Sequence, residues 1–332
     1  EKGEHLIGMG IRLLPPDAAP WPAARPAVGL ALGRRMHGLT EVSLQGWRAL
    51  NPSLPVEGTT SFRAGSIAKV ITAAGVLLLA HHGLVRQSDR LADHLPPWLP
   101  RSIIDDSPTI SDALQHRAGF PRDLSDIPVP DSSRETLLYH ACALAHRAAP
   151  AYSNVGYEVL GLVIEERTGT PAPQWLTDNV LDPLKMHRSG FTDRPDSADG
   201  FNVELGFVYR ATDIEIAPTS GGLSTTIDDL MQLGQWLARC SADLHPGSSL
   251  PSELAVEISS EGFGMFMSEV SRGQPLRCFG GNLPGYQAGL VLVVGVGSTA
   301  VLANTGSYGA PATAMRLAAS PSLPIQSAET IE

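Results

Sequence analysis

The sequence of 332 residues predicts an α+β fold: an antiparallel β-sheet flanked by helices, built from both ends of the chain, with a mainly helical lobe inserted between them. Strand patterns lie towards both termini, while helical patterns separated by proline clusters fill the middle third. Since segments from both ends can share one sheet, we expect a sheet lobe over 1–84 and 225–332 and a helical lobe over 85–224. The functional site is expected at the interface of these lobes.

A hairpin followed by an apolar helix is predicted early in the chain. Residues 27–32 and 40–47 have the composition of two strands around a turn at 34–39, and the second strand alternates between apolar and polar residues. A loop rich in proline and glycine follows. The apolar run over 70–80 then predicts a helix, with Ser66 in its first turn.

Helices dominate the middle of the chain, and strands return after it. Helical patterns between the proline clusters cover 133–147 and 154–167. A further helix is expected over 228–237. Beyond it the patterns predict a strand at 262–267, a hairpin made by 287–294 and 298–304, and a closing helix over 310–319.

Composition and charge argue against two kinds of partner. The chain is 43% hydrophobic and 17% charged, as is ordinary for a globular protein, and its net charge is −10. It has no basic run, so we expect neither nucleic acid nor a membrane as a partner. The longest apolar segments do not change this, because 70–80 is too short to span a bilayer and 288–303 is interrupted by glycines.

Cysteine and histidine usage predicts neither a disulfide framework nor a metal site. Cys142, Cys240 and Cys278 are odd in number without a Cys-x-x-Cys spacing, and the histidines form no His-Glu-x-x-His motif. We therefore expect reduced thiols and no metal or other cofactor. Residues 1–5 do not resemble a signal peptide, which together with the odd cysteine count favours the cytoplasm. A secreted form whose signal had been removed stays open.

Lysine usage singles out Lys69. The chain has 24 Lys and Arg residues, of which only Lys2, Lys69 and Lys185 are lysine. A buried ammonium can lose its proton, whereas a guanidinium cannot, so this lysine is a candidate base. Ser66 lies three residues earlier, and on a helix this Ser-x-x-Lys spacing brings the hydroxyl within reach of the amine. The alternative for Ser66 is a helix N-cap.

Four segments of the chain resemble motifs of one protein family and follow one another in the family's order. They are 60–80 with its continuation to 91, the segment 110–121, the Tyr152-Ser-Asn154 motif with the helix that follows it, and the glycine-rich turn 221–226. In these segments the chain is similar to the serine β-lactamase-like hydrolases of the class C and D,D-peptidase type, which include esterases and transacylases. The resemblance implies a class C β-lactamase-like fold and Ser66 as the nucleophile.

The resemblance also implies roles for Tyr152 and Asn154. Ser66 would attack a carbonyl group, and either Lys69 or Tyr152 would take its proton. A phenol whose pKa is lowered by a nearby ammonium can share a proton with it, so the residue types do not decide which of the two is the base. Asn154 would offer its amide to the lysine or to the substrate, with a helix N-cap as the alternative.

A third motif departs from the family pattern. The aligned segment is 278–286, in which Phe279 stands where relatives carry a lysine or histidine. Gly281 leaves the backbone open there, and the N–H groups of Ser66 and Asn282 are expected to form an oxyanion hole. Without the cation, a substrate carboxylate loses its expected partner. The resemblance, corrected for Phe279, therefore predicts a neutral ester or amide as acyl donor.

These patterns favour a serine acyl-transfer enzyme that forms an acyl-Ser66 intermediate. With water as acceptor it would be an esterase or amidase. The alternative is a transacylase that passes the acyl group to an amine or alcohol in natural-product biosynthesis, and an alternative of another class is a non-catalytic binding or sensor module on the same fold. An α/β-hydrolase is disfavoured, since no Gly-x-Ser-x-Gly motif occurs. The expected partners are a small-molecule acyl donor and an amine acceptor, and the oligomeric state stays open.

Overall fold

The structure is a computed structural model that describes residues 6–7, 11–12, 27–99, 108–127, 133–144, 151–204, 207–212, 217–238, 249–264, 267–271 and 274–319. The predictions for Cys240 and for residues 1–5 concern parts of the chain outside these ranges.

Strands within these ranges lie mostly before residue 64 and after residue 266. They are β1 (Leu6–Ile7), β2 (Ile11–Arg12), β3 (Gly29–Met36), β4 (Leu39–Leu50), β5 (Ser53–Pro55), β6 (Phe62–Arg63), β7 (Phe201–Glu204), β8 (Phe207–Arg210), β9 (Ser224–Thr225), β10 (Met267–Ser271), β11 (Gln274–Leu283), β12 (Tyr286–Val293) and β13 (Gly297–Ala303).

Helices occupy the region between these two groups of strands and also pack on the sheet. They are α1 (Ala68–His81), α2 (Ile110–Leu114), α3 (Arg134–Ala143), α4 (Asn154–Thr168), α5 (Ala172–Leu176), α6 (Pro218–Gly221), α7 (Ile227–Leu237), α8 (Ser252–Glu261) and α9 (Ala310–Ala319). Short 3₁₀ turns occur at Leu91–His94 and Leu124–Asp126, and α5 continues as a π-helical turn over Thr177–Leu181.

The main sheet joins strands from early and late in the sequence. Its seven strands have the order β10-β11-β12-β13-β3-β4-β5, and each neighbouring pair is antiparallel. Strands β13 and β3 connect the two groups, with Val301 opposite Leu32. The predicted α+β fold, with a sheet built from both ends of the chain and flanked by helices, is confirmed.

Side chains alternate across the strands and give the sheet two apolar faces. On one face Leu32 and Val301 belong to the cluster that packs against α9 through Met315. On the other face Ala31 and Leu302 belong to a larger cluster that takes in α7 and extends through α1 and α4. The helix that carries Lys69 therefore lies in the interior of the protein. The division into lobes at 1–84, 225–332 and 85–224 stays a prediction, since this cluster contains residues of both.

Two local predictions differ from the structure. The strand predicted at 262–267 is wrong at its start, because Gly262 ends α8 in the left-handed conformation, with φ of 75°. The N–H groups of Gly262 and Phe263 bond back to the carbonyl of Ile258, so these residues cap the helix, and β10 begins only at Met267. Helix α1 begins at Ala68, so Ser66 lies in the turn before it rather than in its first turn.

Within the described ranges, none of the helices has the length and apolar character needed to cross a lipid bilayer. The same residues contain no group of three or more His, Cys, Asp or Glu side chains placed to hold a metal ion. Cys142 and Cys278 are buried thiols, and burial raises the pKa of Cys142 to about 12.

Candidate active site

The turn before helix α1 places Ser66 at the centre of the candidate site. Gly65 has a φ of 55°, which favours glycine, and its carbonyl accepts a hydrogen bond from the N–H of Ala68 at 2.9 Å. The N-cap of α1 is Ile67, and no side chain caps the helix. The N-cap alternative for Ser66 is therefore wrong. The Ser66 hydroxyl instead lies among side chains from other parts of the chain.

Lys69 is completely buried beneath Ser66. Its Nζ donates to Ser66 Oγ at 3.2 Å, to Asn154 Oδ1 at 2.6 Å and to the carbonyl of Ser220 at 2.6 Å. Burial lowers the pKa of Lys69 from 10.5 to about 7, opposed by the negative charges of Glu158 and Asp123. A substantial fraction of this lysine is therefore a neutral amine at neutral pH.

The partners of Lys69 suit the neutral form. The Ser220 carbonyl can only accept a hydrogen bond, and so can Asn154 Oδ1. The amide orientation is fixed, since Asn154 Nδ2 donates to the carboxylate of Asp123. A neutral amine would satisfy these two acceptors with its two hydrogens. Its lone pair would then face the third partner, the Ser66 hydroxyl, which can donate its proton.

Tyr152 contacts Ser66 from the open side. Its hydroxyl lies 2.6 Å from Ser66 Oγ, and Lys69 Nζ lies 4.9 Å from the centroid of its ring. Although 37% of the residue is exposed, burial of the phenol raises its pKa, in the opposite direction to the lowering considered from the sequence. The reason is that desolvation outweighs the neighbouring charges. Tyr152 therefore keeps its proton at neutral pH.

His116 supports Tyr152 from the side. The two rings lie 4.6 Å apart, and His116 Nδ1 accepts a hydrogen bond from the N–H of Ser153 at 3.1 Å. Burial, with a contribution from the charge of Lys69, lowers the pKa of His116 to about 4. The imidazole is therefore neutral and positions the phenol without adding charge to the site.

Asn154 is the first residue of α4, and the N-cap is Ser153, whose Oγ accepts from the N–H of Gly156 at 3.0 Å. The N-cap alternative for Asn154 is therefore wrong. Its backbone N–H donates to the carbonyl of Arg122 at 2.7 Å. Its side chain is free of the capping task and joins Lys69 to Asp123.

Strand β11 lies directly against the Ser66 turn. A Cβ added to Gly281 would come within 1.8 Å of the Ala64 carbonyl oxygen, and one added to Gly65 within 2.9 Å of the Asn282 nitrogen. Only glycine fits at these two positions. The Ser66 N–H and the Asn282 N–H therefore lie on adjoining segments.

Hairpin geometry orients the Asn282 N–H towards this turn. A two-residue turn separates Leu283 from its partner Tyr286, and the next pair is Asn282 with Gln287. Hydrogen-bonded and non-bonded pairs alternate from the turn, so the Asn282 N–H points away from β12. The described pairing on its other side, with β10, runs only from Gln274 to Cys278. The oxyanion hole formed by the Ser66 and Asn282 N–H groups stays a prediction, with which this pairing is consistent.

Phe279 lies deeper in the structure than the other predicted site residues. It is 0% exposed, pairs with Leu290 in the sheet and belongs to the large apolar cluster. Its role in substrate binding stays a prediction, because protein encloses the ring. A cation does lie beside Tyr152: the guanidinium of Arg122 is 5.4 Å from the centroid of the Tyr152 ring and pairs with Asp123 at 3.4 Å.

Sequence patterns did not identify three groups that complete the site. The Ser220 carbonyl belongs to the backbone, so no residue type signals it. Asp123 follows the segment 110–121 by two residues, so its place in the chain beside that segment is the available signal. Glu158 is the only charged residue between positions 155 and 164 of an otherwise apolar helical run, which is a recognisable signal for a buried, paired carboxylate.

Gly281→Ala should disrupt the predicted oxyanion hole. The added methyl group would press on the Ala64 carbonyl and push Asn282 away from Ser66, so acylation should fall by about 10²- to 10³-fold, as for loss of one oxyanion donor. Burst kinetics with an activated ester would measure it. Gly58→Ala, where an added Cβ meets no atom within 4 Å, is the matched control and should leave the rate unchanged. Equal rates for both variants would contradict the assignment.

Comparison with known proteins gives a family match over most of the chain. A family model described as Beta-lactamase matches residues 22–320. Penicillin-binding protein 4 of Amycolatopsis lactamdurans is 30% identical over 164 residues, which cover 47% of this chain and 42% of that protein. The chain thus spans less than half the length of this relative.

Solved structures share the fold. The octameric penicillin-binding protein homologue from Pyrococcus abyssi superposes with a TM-score of 0.72 at 19% identity, covering 89% of this chain and 73% of that chain. A class C beta-lactamase superposes with a TM-score of 0.70 at 16% identity, covering 91% of this chain and 92% of that chain. At such identities these likenesses concern the fold alone.

Proposed function

The chain belongs to the Beta-lactamase family, and from this premise we propose that it is a serine acyl-transfer enzyme that forms an acyl intermediate on Ser66. The observation that carries the proposal is the placement of Ser66 Oγ, 3.2 Å from the Nζ of Lys69 and 2.6 Å from the Tyr152 hydroxyl. A nucleophile, a base with a lowered pKa and a proton donor meet at one atom. A binding or sensor module would not need all three.

Acylation begins when Lys69 takes the proton of Ser66. The lowered pKa of Lys69 makes the amine available, while the raised pKa of Tyr152 makes that phenol a poor base and a ready donor. Ser66 Oγ bonds to the carbonyl carbon, and the oxygen becomes negative against the N–H groups of Ser66 and Asn282. The bond to the leaving group then breaks. The leaving group takes the Tyr152 proton, which the Lys69 ammonium replaces.

Release of the acyl group runs through the same groups in reverse. Water, or an amine or alcohol, attacks the ester on Ser66 and passes its proton to the base. Ser66 Oγ then leaves and recovers a proton from the ammonium. Water gives an esterase or amidase, whereas the other acceptors give a transacylase. Both reactions use the same acyl-Ser66 intermediate and differ in the acceptor that attacks it.

A neutral acyl donor fits the charges of the site. In the third motif as predicted from the sequence, an apolar ring, Phe279, stands where the family pattern has a lysine or histidine. Arg122 beside Tyr152 is paired with Asp123 and adds no net positive charge. A carboxylate-bearing donor would therefore lack a charged partner, whereas a neutral ester or amide loses nothing.

A panel of activated esters tests this function. The full chain is incubated with neutral esters and with carboxylate-bearing analogues, each with and without added amine or alcohol. Intact mass should show one acyl group on a peptide containing Ser66, formed faster from the neutral donors, and product analysis identifies the acceptor. Absence of an adduct and of turnover with every donor would contradict the proposal, and faster acylation by the carboxylate donors would contradict the substrate preference.

Acylation should depend on pH through Lys69. Below the folded-state pKa of about 7 the ammonium has no lone pair, so the acylation rate should fall in acid and level off above neutrality. Burst kinetics between about pH 5 and about pH 9 would measure the midpoint with an ester that does not itself titrate there. A rate that keeps rising towards the ordinary lysine pKa would show that Lys69 is not the base.

A further inference from the structure

Glu158 is a carboxylate with no exposed surface inside helix α4. One oxygen, Oε1, accepts a hydrogen bond from the N–H of Ser220 at 2.8 Å. The other, Oε2, forms an ion pair with Nη2 of Arg134 at 3.3 Å. A charge in such a position is costly unless it is paired, and both oxygens of Glu158 are paired here. Its hydrogen-bond and ion-pair partners are Ser220 and Arg134 rather than Ser66 or Tyr152, so a role in the reaction would act through another residue.

Ser220 links Glu158 to the base. Its N–H is held by the Glu158 carboxylate, and its carbonyl accepts the hydrogen bond from Lys69 Nζ at 2.6 Å. The neighbouring Thr219 carbonyl accepts from Thr72 Oγ1 at 2.6 Å, which ties the same short segment to helix α1. The carboxylate and the amine therefore bind opposite polar groups of one residue.

We propose that Glu158 is a positioning residue for the Ser66 reaction. It holds the Ser220 carbonyl against Lys69, and its buried negative charge sets the pH at which Lys69 becomes a base. This inference rests on the function proposed above. The negative charge of Glu158 should raise the pKa of Lys69, because a nearby anion stabilises the ammonium and opposes the effect of burial.

The other charges near Lys69 offset each other. Asp123 raises the pKa of Lys69 and Arg122 lowers it, and the two side chains lie together at 3.4 Å. Behind Glu158, Arg134 also faces Glu165 at 3.8 Å. Glu158, partly offset by Arg134, is the charged group that raises the pKa of Lys69 most.

The remaining titratable groups around Lys69 are neutral rings. Burial lowers the pKa of one to about 4 and raises the pKa of the other two, so none carries a charge near neutral pH: His116, Tyr152 and Tyr157. A change of charge at Glu158 should therefore shift the pKa of Lys69 without being compensated by a change of protonation in these rings.

Direct titration of Lys69 in the full chain tests the proposal. Because the sequence has three lysines, labelling lysine Cε with ¹³C gives three resonances, and Lys69→Arg identifies the one of interest. Glu158→Gln keeps an oxygen that can accept from Ser220 but removes the charge. The midpoint of Lys69 should fall by about one pH unit. Glu165→Gln, on the same helix and beside the same Arg134, is the matched control and should leave the midpoint in place.

The acylation rate supplies a second measurement. In Glu158→Gln the midpoint of the acid side of the pH–rate profile should shift to lower pH by the same amount as the Lys69 resonance. The variant should therefore acylate faster than the wild type at pH values below the wild-type midpoint. A rate reduced equally at every pH, with the midpoint of the profile unmoved, would assign Glu158 a purely structural role and overturn the proposal. So would an unchanged Lys69 midpoint.

Arg134→Gln serves if Glu158→Gln does not fold. It leaves Glu158 in place and removes the cation that offsets it, so the Lys69 midpoint should rise, and a fall or no change would overturn the proposal. The resonance does not depend on turnover. A shifted midpoint in a chain that acylates no donor would therefore refute the proposed function while leaving the coupling of Glu158 to Lys69 intact.

Discussion

Ser66→Ala should abolish acyl-enzyme formation, with a loss of about 10⁴- to 10⁶-fold in turnover of an activated ester. Alanine removes the hydroxyl oxygen that lies within hydrogen-bonding distance of both the Lys69 amine and the Tyr152 hydroxyl, so the remaining groups have no nucleophile to activate. Labelling with a fluorophosphonate, followed by peptide mass analysis, gives the site directly. The wild type should carry the label on a peptide that contains Ser66, and the variant should carry none.

A nearby serine provides the control for this substitution. Ser61 is also buried and precedes the same helix, but its hydroxyl pairs with Ser197 at 2.9 Å, away from the reacting groups. Ser61→Ala should be labelled at the wild-type rate, with only a change in thermal stability. Labelling and turnover retained in Ser66→Ala would place the nucleophile elsewhere.

Lys69→Arg should slow acylation by about 10²- to 10⁴-fold while leaving the site positively charged. A guanidinium keeps its proton at any accessible pH and has no lone pair to direct at Ser66. Single-turnover acylation with a neutral ester would measure the loss, and the fall of the rate in acid should disappear with it. Thermal unfolding of the same sample shows whether the larger side chain fits the enclosed space.

Lys185 offers a matched control for the lysine change. It is exposed and lies outside the site, so Lys185→Arg should acylate at the wild-type rate. If Lys69→Arg also acylated at nearly the wild-type rate, positive charge alone would suffice there, and Tyr152 would become the candidate base. Tyr152→Phe would then have to lose the activity that the arginine variant keeps.

A sheet built from both ends of the chain could be predicted because strand patterns lie near both termini with helical patterns between them, whereas the order of its strands comes from the structure. Ser66, Lys69, Tyr152 and Asn154 could be predicted to meet because each lies in a short motif with characteristic neighbours. The geometry brings their side chains within hydrogen-bonding distance of one another. Their catalytic roles stay proposals that the variants above address.

Other features depend on packing and were not accessible from residue types. The raised pKa of Tyr152 comes from desolvation by surrounding atoms, a quantity that local sequence does not contain. The enclosure of Phe279 depends on which face of β11 meets the larger core. The apolar run near Phe263 has the composition of a strand, yet the left-handed Gly262 that ends α8 decides its structure.

The close approach of Gly281 to the Ala64 carbonyl bears on when this protein can act. In the proposed mechanism, one half of the oxyanion hole comes early in the chain, with Ser66, and the other half late, with Asn282, so both halves are present only once β11 has joined the sheet. Contacts between residues so far apart in sequence form late in folding and slow it. In the proposed mechanism, acylation of Ser66 therefore requires the closed sheet.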